Sequence, residues 1–265
     1  MAKLSISVQN SLGEILSSAE GEGRVQLAYG AEYQEGDRLV LQSTQKNVFL
    51  MLQFDDAMGE NFVFQTEKEL IYTIPFAEKK ISYSPKAFYG ATHVLTVREA
   101  TEAEIAMHKN LAKNVYDQHG NPGCYPHVHA NVETRGESVF AARNAIDGCC
   151  CNTSHGAWPY ESWGINMQDD AEITVEFGRE VAVDRMVLVT RADFPHDNYW
   201  KQVTFTFSDG SVLTVDLEKS VEPHNIPLAD TKKVSWIKLS NLIKNPEDPS
   251  PFPALSQWEV YGTEA

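Results

Sequence analysis

Residues 191–200 read RADFPHDNYW, and few ten-residue stretches hold so many groups able to grip a hydroxylated ligand. Charged and imidazole side chains make charge-assisted hydrogen bonds to neighbouring hydroxyls, and an aromatic ring covers the apolar C–H face of a sugar. Arg191, Asp193, His196, Asp197 and Trp200 are the candidate contacts. The alternative assigns them to structure, with Arg191 paired to Asp193 and Trp200 in the core. A second stretch, CNTSHGAWPYESWGIN at 151–166, carries His155, Trp158, Tyr160, Glu161 and Trp163. A third, YPHVHANVETRGES at 125–138, sets His127 and His129 two residues apart, so both project to one face of an extended segment. Glu133, Arg135 and Glu137 continue at the same spacing. Arg135 and a histidine could join a polar rim, or the histidines and Glu133 could bind a transition metal.

Cysteine invites a metal reading too. Three of the four cysteines are consecutive, Cys149 to Cys151. Adjacent residues rarely give two ligands to one tetrahedral ion, and Cys-x-x-Cys spacing is absent. Neighbouring cysteines also pair only with strain, so reduced thiols in a reducing compartment are expected.

The elements that must position these residues are mostly strands. KLSISV, RVQLA, RLVLQ, NFVFQT, LIYTIPF, KISYS and HVLTVRE follow one another in the first hundred residues, separated by Gly, Asp, Asn and Pro signals. VFLMLQF is a continuous apolar run suited to burial on both faces. Residues 101–118 change character: Thr101 and Glu104 form a capping-box signature, and Ile105, His108, Leu111, Ala112 and Val115 recur at helical spacing. HGNPGCYP then breaks the pattern. After a short helical candidate, SVFAARNAI, come AEITVEF, VDRMVLVT, VTFTF, SVLTVDL, VSWIKLS and QWEVYG, with the tight-turn pair Asp-Gly in SDGS. The expected architecture is all-β: a β-sandwich over residues 1–100 with no motif to give it a role, a linker helix and loop over 101–124, and a second sandwich over 125–265.

NAIDG, the tryptophan-bearing loop after it, AEITVEFGREVAVDRMVLVT, TFTFSDGS and the terminal FPALSQWEVYG resemble the discoidin, or coagulation-factor type C, family, which includes family 32 carbohydrate-binding modules. The match spans roughly residues 125 to 263. The resemblance implies an eight-stranded antiparallel jelly roll of the galactose-binding-like kind, with the ligand held in end loops. It also implies that one tryptophan after the Asp-Gly loop is core. Trp163, nearest the next strand, takes that role, leaving His155 and Trp158 as ligand contacts. Members often hold a structural calcium at this turn, and Asp147, Thr153 and Glu259 stand at positions resembling its ligands. Cys149, where an oxygen ligand is expected, departs from the pattern. The spacing His127-x-His129-x3-Glu133 is similar to the first cupin motif, but the second cupin motif is absent.

The expected function is carbohydrate binding through the end loops of the second sandwich. The alternative is a carbohydrate-active enzyme, a hydrolase, lyase or isomerase, in which His127, His129, Glu133, Asp193, His196 and Asp197 converge as acids and bases, with or without a metal. A third reading is an assembly module whose aromatic loops bind protein. Lys+Arg number 22 against Asp+Glu 37, a formal charge of −15, which argues against nucleic acid and anionic membranes as partners. With no apolar run of signal-peptide or membrane-spanning length, a soluble cytoplasmic protein is expected. Oligomeric state is not encoded in any visible motif.

Overall fold

The computed structural model describes residues 1–121, 123–191 and 197–265. Eight strands form from the first hundred residues: β1 (Lys3–Gln9), β2 (Ile15–Glu22), β3 (Arg24–Tyr29), β4 (Arg38–Ser43), β5 (Val48–Gln53), β6 (Asn61–Gln65), β7 (Glu69–Thr73) and β8 (His93–Glu99). They make two antiparallel sheets, ordered β2-β1-β4-β7 and β6-β5-β8-β3. Period-two alternation puts one face of each inward: Leu4, Ile6, Val8, Leu39 and Leu41 of the first meet Leu27, Leu50, Leu52, Val63, Leu95 and Val97 of the second in one apolar cluster. Full burial of each such side chain contributes about 1.5–3 kcal/mol.

Two expectations for this half are corrected, and one strand is added. The apolar run in β5 is not buried on both faces. Val48, Leu50 and Leu52 point in, while Phe49 and Met51 are half-buried on the other side. Phe49 lies against Phe62 and Phe64 there, with the Arg179 guanidinium 5.2 Å from the Phe49 ring centre. KISYS is not a strand, because residues Ala77–Ser82 coil into a 3-10 helix. β2 escapes a periodicity search because its sequence, ILSSAEGE, is mostly polar. As the edge of its sheet it needs only the backbone ladder to β1.

The expected helix over 101–118 is shorter in the structure. It covers only Glu102–Ala106, and its capping box forms: Glu104 N donates to Thr101 Oγ1 at 3.3 Å, and Thr101 N donates to Glu104 Oε2 at 2.8 Å. Beyond it the chain extends, and β9 (Lys109–Asn110) pairs with the C-terminal strand. The apolar residues that suggested one helical face go to two places: Leu111 and Ala112 enter the second core, whereas Val115 enters the first, together with its neighbour Tyr116. A helix would hold them on one side, so burial on two sides overrides its weak propensity.

The remaining strands are β10 (Cys124–Tyr125), β11 (His127–Ala130), β12 (Trp163–Gly164), β13 (Ile173–Arg191), β14 (Trp200–Phe207), β15 (Val212–Asp216), β16 (His224–Lys244) and β17 (Ala254–Glu264). β10 adds to β6 in the first half. The others form an antiparallel network ordered β12-β17-β13-β16-β14-β15, with β11 on β13 and β9 on β17. AEITVEF and VDRMVLVT, read as two strands, are one 19-residue strand with a register break between Glu176 and Val181. Gly178 sits in that break at φ +68°, and a Cβ there would lie 2.3 Å from the Tyr125 ring. SVFAARNAI forms two 3-10 turns, Ser138–Phe140 and Ala142–Ala145. Around these elements lies a second apolar cluster, whose largest members Trp163, Trp200, Trp258, Phe177, Phe205 and Phe207 are fully buried.

Candidate functional site

A cleft of about 210 Å³ opens where the loops after β11 and β12, the end of β13 and Asp197 meet the segment leading into β17. Four residues singled out from sequence line it: Arg135, His155, Arg191 and Asp197. Thr134, Phe140, Asn166, Met167, Phe252 and Pro253 are also in its wall.

Arg191 closes β13, and its guanidinium meets the Asp197 carboxylate in a two-point pair. Nε lies 2.6 Å from Oδ2, and Nη2 contacts Oδ1. Both side chains are buried. The pair joins the residues on either side of 192–196, with Asp197 as a partner of Arg191; the Asp193 pairing considered from sequence falls on residues outside those described. Asp193 and His196 lie outside the described residues. Next to Asp197, the Asn198 amide is 2.8–3.3 Å from the carbonyls of Asn245, Asp248 and Ser250. That anchors the proline-rich loop carrying Phe252, which is 44% exposed at the cleft.

On the opposite wall Arg135 adopts a left-handed backbone at φ 53°. Its guanidinium makes two bonds to Glu137, at 2.6 and 2.8 Å, and stands 5.9 Å from the Phe140 ring centre. Thr134 Oγ1 accepts from Asn166 N at 2.9 Å and holds this wall to the β12 turn. A space bounded by two arginine–carboxylate pairs, an imidazole and the exposed face of Phe252 offers donors, acceptors and an apolar platform together.

Four sequence candidates are placed elsewhere. Trp200 is fully buried, 6.3 Å from Trp163 between ring centres, and is a core residue. The alternation of β14 points it inward, since Trp200, Val203 and Phe205 share the apolar cluster. Trp163 is core as expected, its Nε1 donating to Val132 O at 2.9 Å. His127 is buried with Nδ1 2.7 Å from Asp117 Oδ1. Burial lowers its pKa, but the Asp117 carboxylate outweighs that and leaves it above the usual histidine value. His129 is exposed on β11, opposite Thr174. Trp158 is 41% exposed and lines a different cavity, of about 250 Å³, with Met58, Tyr83, Arg143, Cys149 and Glu161. The gathering of His127, His129 and Glu133 into one acid–base or metal cluster is therefore not found. Glu133 accepts from Ala142 N at 2.8 Å and faces His119 at 3.6 Å.

The Asp-Gly turn was the expected calcium position. Asp147 Oδ1 accepts from Cys149 N at 2.8 Å, and Oδ2 stands 3.8 Å from Arg143 Nη2. Cys149 is no ligand substitute, because its thiol donates to Pro159 O at 3.1 Å. Thr153 is exposed, and Glu259 is half-buried on β17 opposite Val187. The carboxylate set against Asp147 is Glu161, 1% exposed and within side-chain hydrogen-bonding reach of Asp147. Burial, then repulsion by Asp147, raises the pKa of Glu161, and burial raises that of Asp147. Two facing buried carboxylates suit a hard cation. Among the described residues, no three His, Cys, Asp or Glu side chains are grouped to hold one, so main-chain oxygens would have to complete the shell.

Sequence reading missed Phe140, Met167 and Phe252. Phe252 alone had a signal, an aromatic between two prolines in a loop. Asn166 and Met167 reach the cleft through left-handed backbone at φ 49° and 62°, which no residue type announced.

No family model and no curated protein matches the chain. Among solved structures, the chain is similar to a chitosan-binding module of a chitosanase/glucanase from Paenibacillus sp. IK-5, at 20% identity over 58% of this chain and 100% of that one, TM-score 0.41. It is similar to the family 32 carbohydrate-binding module of NanJ from Clostridium perfringens, solved with galactose, at 18% identity over 51% and 91%, TM-score 0.39. A further family 32 module from Clostridium perfringens, solved with GlcNAc-α-1,4-galactose, matches at 18% identity over 62% and 100%, TM-score 0.43. Family 32 modules are thus among the solved structures it matches, as the sequence motifs suggested.

Proposed function

We propose that the chain is a carbohydrate-binding protein whose ligand occupies the cleft between Arg135, His155, the Arg191–Asp197 pair and Phe252. The observation that carries this reading is the convergence of these groups, from four separate segments, around one concave space. Each arginine keeps its own carboxylate, so the cleft presents dipoles and hydrogen bonds with little net charge, suited to hydroxyls. Phe252 supplies the face for an apolar ring surface. Supporting the two-unit organisation, the two apolar clusters share no residue. We take 1–100 and 125–265 as sandwich units, the second a jelly roll, with 101–124 feeding side chains into both.

Calcium at the Asp-Gly turn belongs to the same reading as a structural ion. Asp147 and Glu161 would hold it, with Thr153 and Glu259 the flanking oxygens that the sequence resemblance implies. Bound there, it would neutralise the facing carboxylates and brace the loop leading to His155.

The test is titration calorimetry of the full chain with glycans chosen from an array screen. His155→Ala and Phe252→Ala should each weaken binding at least tenfold and leave the melting temperature within about 1 °C. Retained affinity in both variants would remove the cleft from the function.

A further inference from the structure

The segment 133–143 is a wall with a cavity on each side. Thr134, Arg135 and Phe140 line the cleft described above, and their chain neighbours Glu133, Gly136 and Ala141 line a second cavity of about 420 Å³. Adjacent Cα atoms are about 3.8 Å apart, so three neighbouring pairs split between the two spaces define a partition one backbone thick. Gly136 lies in it at φ +66°, and a Cβ there would meet nothing within 4 Å; the partition carries no bulk at that point.

Residues of the first half form the far side of the second cavity. The 3-10 helix Ala77–Ser82 contributes Glu78 and Lys79, and the linker contributes Gln118 and His119. The two sides are fixed to each other. Ser138 N donates to Glu78 Oε1, and Ser138 Oγ to Glu78 O, both at 2.7 Å. Gln118 exchanges bonds of 2.8 and 3.0 Å with the Thr73 backbone. Tyr83 also lines the cavity, its ring carrying the Arg143 guanidinium 4.3 Å from its centre. Lys79 and His119 stand exposed at the rim. The exposed imidazole and ammonium at the rim and the Gln118 amide in the wall give this preformed space hydrogen-bonding groups suited to hydroxyls, as the cleft across the partition has.

We infer that the ligand is an oligosaccharide that crosses this partition, with one unit in the cleft and the next in the second cavity, where the first half of the chain supplies the contacts. The inference rests on the reading of the cleft as a sugar site, and it gives residues 1–100 a part in recognition.

Glucose, galactose and N-acetylglucosamine, each as monosaccharide and as β-1,4-linked di-, tri- and tetrasaccharide, are titrated into the full chain and into Lys79→Ala, His119→Ala and His155→Ala. For at least one series the tri- or tetrasaccharide should bind tenfold or more tightly than its monosaccharide. Lys79→Ala and His119→Ala should cut that gain to about threefold or less and leave monosaccharide affinity unchanged, while His155→Ala weakens every member. The His119 ring resonances should shift with tetrasaccharide and stay still with monosaccharide. Binding of monosaccharides with no gain on lengthening, or a gain that survives both rim substitutions, overturns the inference and leaves the cleft reading standing. Failure of every sugar to bind overturns both.

Discussion

Replacing Trp200 by alanine separates core from binding surface at the place where sequence chemistry pointed the wrong way. The side chain is exposed to neither solvent nor cleft: its relative accessibility is 0%, and its ring centre lies 6.3 Å from that of Trp163. A buried tryptophan removes about 150–250 Å² from water, which at about 25 cal/mol per Å² corresponds to about 4–6 kcal/mol. The methyl group that alanine retains and partial collapse of the cavity bring the expected loss to about 4 kcal/mol, within the range of about 3–5 for large aromatic deletions. At about 2–4 °C per kcal/mol for units of 150–250 residues, melting of the second half should fall by roughly 8–16 °C. Guanidinium unfolding at fixed temperature, followed by near-ultraviolet circular dichroism, gives the free energy directly. Trp200→Phe should recover most of it. A loss below about 1 kcal/mol together with loss of sugar binding would refute the assignment of Trp200 to the core and return it to the ligand.

Three further outcomes follow from named contacts. Because the His127 pKa is held above its ordinary value, the stability it adds is complete below the unfolded value of about 6.5 and is lost as pH rises through the folded value. Unfolding free energy should therefore decline across that window, and His127→Gln should flatten the decline. Gly178→Ala should destabilise by more than about 1 kcal/mol, since φ +68° is unfavourable for alanine and its Cβ would lie 2.3 Å from the Tyr125 ring; an unchanged chemical-denaturation midpoint would contradict that geometry. If calcium is bound by Asp147 and Glu161, chelation should lower the melting temperature, by the equivalent of about 2.7 kcal/mol for an ion initially present at 100 times its Kd. Glu161→Gln should abolish the response.

What the sequence determined by itself is the class of structure and most of its strands. β1, β3, β4, β6 and β8 are legible because alternation at period two is a local property: each inward residue needs only some core to face. The capping box at Thr101 and Glu104 is legible for the same reason, as it closes within four residues. Trp163 could be assigned to the core because the family resemblance implies one core tryptophan after the Asp-Gly loop and Trp163 lies nearest the strand that follows. The tertiary structure decided everything that depends on two distant segments meeting. The helix expected over 101–118 stops at Ala106 because its apolar residues are claimed by two cores on different sides. Arg191 meets Asp197, and the cleft gathers Thr134, His155, Met167 and Phe252 from segments spread over more than 100 residues of the chain. Trp200 and His155 offer similar recognition chemistry on paper. Side-chain direction alone divides them, because the pleat of β14 turns Trp200 inward while a loop leaves His155 at the cleft.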